Sequence, residues 1–293
     1  MKTLDTLVPD MLRVLEGYGS WDEAVTAFLS EGIAGVAYER FRKPQEPRKY
    51  LGLSQLGSPC KRKLWYTVNE PEQSESLDAK VLGTFFYGDM VEVLALALAK
   101  AAGHDVQGEQ DRLDVHGFKG HRDAVIDGVT VDVKSTSGYG FNKFKNGKLR
   151  EDDPFGYISQ LSSYVYAGRD DPLVRNKHEG AFLAISKDRF DLCLDRYDFT
   201  KEIQTKESEI ASIKESVSQA SPDGAGNRIP PVPVTTGRDK KPNGNFRLDT
   251  LCRYCQFKKR CYPEARVFSY SNGDRLDYLT KVVKTPNVPE IIE

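Results

Sequence analysis

Residues 120–136 read GHRDAVIDGVTVDVKST, and the fold turns on how that stretch is understood. Apolar residues alternate on both sides of Asp127–Gly128, a dipeptide that favours a tight hairpin turn, so two short paired strands are predicted. The second strand carries Asp132 and Lys134 two residues apart, hence on one face. Asp123 lies on the first strand, across the turn. Directly opposed residues of such a pair stand about 5 Å apart, so both carboxylates could reach one ion. The plain alternative is the solvated edge of a sheet.

Working outward, the segment AKVLGTFFYGDMVEVLALALAKAAGHDV (79–106) predicts a long helix, apolar nearly all round in its second half and therefore buried. It carries Asp89 and Glu92 on one face, and acids on so apolar a helix need a partner or a place at its solvent edge. Strands are predicted at 106–113, 120–126 and 129–134. A Gly- and Lys-rich loop (135–154), a helix over 155–168 and a further strand pair follow. That order of elements predicts an α/β core, a mixed central sheet flanked by helices.

Two amphipathic helices are predicted within residues 1–50, the second opening at Ser20 with Glu23 as its capping-box partner. A polar, Pro-containing stretch, RKPQEPRKY, closes that segment. Residues 220–248, rich in Pro and Gly, are expected to form a long loop, and 266–293 a tail with weak strand character. The expected organisation is an N-terminal helical segment at 1–50, a core at 51–265 and the tail.

The 293 residues carry 42 basic and 43 acidic side chains, so bulk charge signals no nucleic-acid partner, although CKRKLW, FNKFKNGKLR and FKKRC are local basic clusters. No apolar run is expected to span a bilayer, and the acids in the first 19 residues argue against a signal peptide, so a soluble cytoplasmic protein is expected. No phosphate-binding G-x-x-x-x-G-K-[ST] loop occurs.

A bound divalent cation can drive hydrolysis of a phosphodiester by polarising an oxygen and supplying hydroxide near neutral pH. Mg²⁺ takes oxygen ligands, which makes Asp123 and Asp132, with Asp89 or Glu92, a candidate site. Lys134 would orient water or stabilise developing negative charge. Gln160 and Tyr164 share one helix face four residues apart.

Five cysteines is an odd number. Cys252, Cys255 and Cys261 form C-x2-C-x5-C, and Cys60 upstream is the natural fourth ligand. Zinc and a [4Fe–4S] cluster both take four thiolates, and spacing does not separate them. Cys193, in an alternating strand, reads as a small core residue.

Taken together, an acid on a helix, Asp123, Asp132-x-Lys134 and Gln160-x-x-x-Tyr164 resemble the PD-(D/E)XK nuclease superfamily, within it the RecB-like branch, over roughly residues 51–265. The resemblance implies a restriction-endonuclease-like core with Asp123 and Asp132 as ligands to Mg²⁺ or Mn²⁺, Lys134 as the catalytic lysine and Gln160 with Tyr164 in support. RecB-like proteins often place a His on the helix. Here Glu92 is favoured, with Asp89 next. One cysteine before the core and a C-x2-C-x5-C trio after it also match relatives that hold a [4Fe–4S] cluster clasping a helical region. The implied activity is a DNA exonuclease in phage or CRISPR-associated processing or recombination, acting on single-stranded or duplex ends. A helicase or recombination partner and an oligomer stay open, and no membrane partner is expected. An endonuclease, a non-catalytic binder and a zinc-stapled adaptor are the alternatives. The loop after the site, SGYGFNKFKNGK, supplies candidate DNA contacts in Tyr139, Phe141, Lys143, Lys145 and Lys148, with Lys61 and Arg62 weaker and Lys258, Lys259 and Arg260 flanking the cysteines.

Overall fold

The hairpin forms as its turn residues dictate. Asp127 and Gly128 adopt φ of 50° and 79°, the left-handed pair that suits a two-residue turn between twisted strands. Asp127 also accepts hydrogen bonds from the Asp105 backbone (3.1 Å) and lies 2.7 Å from Nδ1 of the buried His104, which pins the turn to the preceding loop. The structure, a computed structural model, describes residues 2–42, 49–77, 79–236, 239–270 and 275–292. Most of the RKPQEPRKY stretch lies outside the described residues.

In chain order the helices are α1 (Leu4–Leu15), α2 (Glu23–Phe41), α3 (Lys61–Asn69), α4 (Ala79–Ala101), α5 (Gly138–Lys145), α6 (Tyr157–Ala167), α7 (Thr200–Val217), α8 (Pro222–Ala225), α9 (Thr250–Arg253) and α10 (Lys258–Cys261). The strands are β1 (Val106–Gln107), β2 (Arg112–Val115), β3 (Phe118–His121), β4 (Ala124–Ile126), β5 (Val129–Thr136), β6 (Glu179–Ser186), β7 (Leu192–Asp198), β8 (Val232–Thr236), β9 (Lys241–Arg247), β10 (Arg266–Tyr270), β11 (Arg275–Lys281) and β12 (Glu290–Ile291).

The chain divides into two units. The first holds residues 1–46, 50–58 and 77–212, and the second holds 47–49, 59–76 and 213–293. The boundary expected at residue 50 therefore marks no unit, because α1 and α2 pack in the first one.

The first unit is built on a five-stranded mixed sheet in the order β1-β4-β5-β6-β7. β4 and β5 are antiparallel, β5 and β6 parallel, β6 and β7 antiparallel. Alternate residues of β5 and β6 enter two cores. Val129, Val131, Val133, Leu183 and Ile185 meet α1 and α4 on one face. Phe182 and Ala184 meet Phe141 and Phe144 of α5 and Leu161 and Val165 of α6 on the other. Burial on both faces explains the nearly continuous apolar run of these strands. Gly180 lets α6 lie close on β6, since a Cβ there would stand 2.8 Å from Val165 and 2.9 Å from Leu161.

Four expectations are corrected here. The first two predicted strands each break, because Gly108 and Gln110 turn with positive φ and β2 pairs with β3 as a separate ribbon. Asp22, not Ser20, caps α2, accepting from the Val25 backbone at 2.9 Å. The Gly/Lys loop contains α5, capped by Ser137, with Phe141 and Phe144 as its buried anchors. By length and composition α4 is apolar enough to cross a membrane, contrary to the expectation that no such run exists. Its second half instead fills the core, and Asp89 and Glu92 at mid-helix would be costly in lipid.

In the second unit, residues 220–248 form α8 and the β8–β9 hairpin rather than a long loop, and the tail supplies β10–β12. Together they make a second sheet, β12-β10-β11-β9-β8. Its strands are short and carry Pro and Asn, which hides the alternation that usually reveals a strand. Phe268 and Leu279 are buried in it, and the buried Asp277 faces Arg247 and Arg253 at 3.7 and 3.6 Å.

Candidate active site

The β4–β5 register places Ala124 opposite Val131, which sets Asp123 against Asp132 across the hairpin. Asp123 Oδ2 accepts a hydrogen bond from the Val133 backbone at 2.7 Å. Asp132 is 2% exposed, with Oδ2 2.5 Å from Lys134 Nζ and no hydrogen-bond partner for Oδ1. A buried carboxylate oxygen without a partner is costly unless something else binds there.

Glu92 on α4 completes a group of three acids. Burial first, and then the charge of its neighbours, pushes its carboxyl up to about 7. Asp123 is raised well above the usual carboxylate range by burial and by the charges of Asp132 and Glu92. Asp132 is raised by burial, against the pull of Lys134. Burial works against the Lys134 charge, but Asp132 and Asp123 outweigh it and hold the ammonium protonated. Among the described residues, three carboxylates thus share the Lys134 ammonium.

Asp89 is placed elsewhere. Its carboxylate pairs with Arg40 of α2 at 3.1 Å, and its side chain is half exposed. Glu92, by contrast, keeps a neutral partner, accepting from the Gln110 amide at 2.5 Å. The structure therefore brings Glu92, Asp123, Asp132 and Lys134 together and leaves Asp89 in a separate ion pair.

Gln160 and Tyr164 face the same group from α6. Burial, and next the Asp132 charge, push the Tyr164 hydroxyl up to about 12, with Gln160 as its hydrogen-bonding partner. Tyr157, missed in the sequence, lies under Lys134 with the ammonium 5.2 Å from its ring centroid. The signal was present, because Tyr157, Gln160 and Tyr164 recur at helical spacing on one face.

Among the described residues, no group of three His, Cys, Asp or Glu side chains is arranged to hold a metal ion as it stands. Each acid is engaged by another group: Glu92 by Gln110, Asp123 by the Val133 amide and Asp132 by Lys134. The donor set still fits a hard divalent cation, being three clustered carboxylates, one with a buried unpartnered oxygen.

The proposed DNA contacts divide. Phe141 is 2% exposed in the α5–α6 core, so it is corrected to a packing residue. Tyr139 is 75% exposed, with Lys143 Nζ 5.2 Å from its ring centroid. Lys143 is also held by Asp152 at 2.5 Å. Lys145 and Lys148 are exposed.

All four cysteines of the second motif lie in the second unit. The residues that carry the resemblance to a cluster motif are therefore all within that unit. Cys60, Cys252, Cys255 and Cys261 line one cavity with Phe257 and Tyr262. The Cys252 thiol is pushed up to about 12, by burial and then by its sulfur neighbours, and burial also raises Cys60 and Cys255. Without a cation, burial thus favours neutral thiols, and a bound metal would draw off their protons. Soft sulfur donors around a shared space fit zinc or an iron–sulfur cluster. The segments carrying the cysteines are tied by Arg260 to Glu70 (2.9 and 3.2 Å) and by Lys258 to Glu75 (2.9 Å). Arg62 is buried, paired with Asp223 and bonded to Tyr66, so it is corrected from a DNA contact to a brace. Cys193 packs at the edge of the α5–α6 core. None of the five cysteines forms a disulfide.

No protein-family model matches the chain, and no curated protein does. Among solved structures it is similar to an alkaline exonuclease (LHK-Exo) from Laribacter hongkongensis, at 13% identity and a TM-score of 0.38, over 58% of this chain and 91% of that one. It is also similar to a protein titled SSO0001, at 14% identity and a TM-score of 0.39, over 80% and 94% of the two chains. Both likenesses are too distant to carry function across.

Proposed function

We propose that this chain is a metal-dependent DNA nuclease of the PD-(D/E)XK type, in the RecB-like branch, working as an exonuclease. The supporting observation is the hairpin pair Asp123 and Asp132, joined by Glu92 and balanced by Lys134, with Asp132 Oδ1 buried and unpartnered among the described residues. Glu92, Asp123 and Asp132 would hold Mg²⁺ or Mn²⁺, which supplies Lewis-acid activation and hydroxide near neutral pH.

Around it the chain's own groups have separate tasks. Lys134, kept charged by two carboxylates, stabilises negative charge on the reacting phosphate and orients the attacking water. Tyr164 keeps its proton at neutral pH and donates from its hydroxyl, with Gln160 fixing its direction. Tyr157 shields one side of Lys134 from water. Exposed Tyr139 and Lys145 suit stacking on, and charge contact with, a single-stranded end.

For the thiols we propose a [4Fe–4S] cluster with a structural role. The four cysteines line a common cavity, and their layout, Cys60 before the core and the C-x2-C-x5-C trio after it, is the one that the resemblance links to such a cluster.

The test is digestion of end-labelled linear DNA beside circular single-stranded DNA with Mg²⁺ or Mn²⁺. Release of label with the circle intact supports the exonuclease. Cutting of the circle moves the assignment to an endonuclease on the same site. Iron and sulfide analysis of anaerobically purified protein tests the cluster, and zinc without iron would overturn it.

A further inference from the structure

The loop between β1 and β2 wraps the residue pair Arg122–Asp123. Arg122, 1% exposed, pairs with Asp111 at 2.6 Å and donates from Nε to the Gly108 carbonyl at 3.3 Å. Its backbone amide donates to the Asp111 carbonyl at 3.2 Å. Between those anchors stands Gln110, whose backbone amide donates to the Asp123 carbonyl at 3.2 Å. Its φ of 55° is the left-handed conformation, which Gly or Asn adopts with less strain than Gln.

That choice of residue has a consequence. The turn itself would be better served by Gly or Asn, and the Gln110 side chain is exposed, so folding gives no reason for a glutamine here. What the side chain does is reach Glu92, donating from Nε2 to Oε1 at 2.5 Å. We infer that Gln110 is a positioning residue that joins Glu92 to Asp123, holding the helix carboxylate toward the two hairpin carboxylates. The inference rests on the metal-site reading above.

The chemistry of the partner supports it. An amide fixes the direction of a carboxylate without cancelling its charge. Arg40 does the opposite to Asp89, neutralising it in a 3.1 Å ion pair. With Oε1 held by the amide, Oε2 is left to an ion. Groups that orient a metal ligand in this way are worth about 10- to 100-fold in metal affinity.

The experiment is Mn²⁺ binding to the full chain without DNA, followed by the electron paramagnetic resonance of the free ion, with thermal unfolding alongside. The variants are Gln110→Gly, Gln110→Asn and Asp132→Asn. Both Gln110 variants keep the left-handed turn, and neither side chain reaches Glu92. The expected result is wild-type binding that Asp132→Asn removes and that both Gln110 variants weaken about 10-fold, with Tm unchanged or raised. Wild-type affinity in both Gln110 variants would overturn the inference while leaving the metal site standing. A fall in Tm for Gln110→Gly without weaker binding would make Gln110 a structural brace and also overturn it. Binding that Asp132→Asn does not alter would place the ion elsewhere and remove both the site and the role of Gln110.

Discussion

The carboxylate group and the thiol group gather side chains of like chemistry by opposite routes. Asp123, Asp132 and Lys134 lie within twelve residues and are brought together by one tight turn. Cys60 and Cys261 are separated by two hundred residues, and ion pairs such as Arg260 to Glu70 hold their segments together. The acids repel one another beside Lys134, whereas the cysteines line a cavity with aromatic rings. Each region should therefore fail differently: the first in chemistry with its fold retained, the second in fold.

The largest effect expected is on cleavage. Lys134→Ala should lower the rate by about 10²–10³-fold or more, with iron content unchanged, as read by a labelled-DNA assay beside metal analysis. In contrast, Cys255→Ala should lose iron and thermal stability together. Iron retained by that variant would break the ligand set.

Next comes the pH response of the ion-free protein. The Glu92 carboxyl sits at about 7 in the folded chain and 4.5 when exposed, so the folded state holds the extra proton between those values. Stability from this group is therefore full below about pH 4.5 and falls as pH rises toward 7, by about 1–3 kcal/mol. Denaturant unfolding at pH 5 and pH 8 measures it. Mn²⁺ should reverse the trend, since the ion prefers the deprotonated group.

A third pair of variants sharpens the contrast within α5. Phe141→Ala should cost about 3–5 kcal/mol of stability. Tyr139→Ala should leave stability within about 0.5 kcal/mol and weaken single-stranded DNA binding by about 1–3 kcal/mol. The smallest effect belongs to Asp89→Asn, which removes a partly exposed ion pair worth up to about 1 kcal/mol and should leave cleavage unchanged.

What the sequence made legible follows from distance along the chain. The hairpin turn, the Asp-x-Lys face and the buried half of α4 are local patterns, and residues 120–136 and 91–101 show them directly. Glu92 and Asp89 looked alike because both share the helix face, and partners distant in the chain, Arg40 for Asp89 and Gln110 for Glu92, separate them. Gln110 was invisible for a similar reason, since its role depends on a backbone turn that no residue type announces. Phe141 was misplaced because glycines around it suggested a loop, whereas its i, i+3 partner Phe144 marked a buried helix face. The second sheet was missed because Pro, Asn and Gly interrupt β8 and β9.

The most direct measurement is release of end label from linear DNA by wild type, Asp132→Asn and Lys134→Ala purified in parallel, with Mn²⁺ and with chelator. Wild type is expected to cleave with Mn²⁺ only, and either variant at least about 100-fold more slowly although both fold. Equal cleavage by all three proteins, or cleavage that survives chelation, would contradict it.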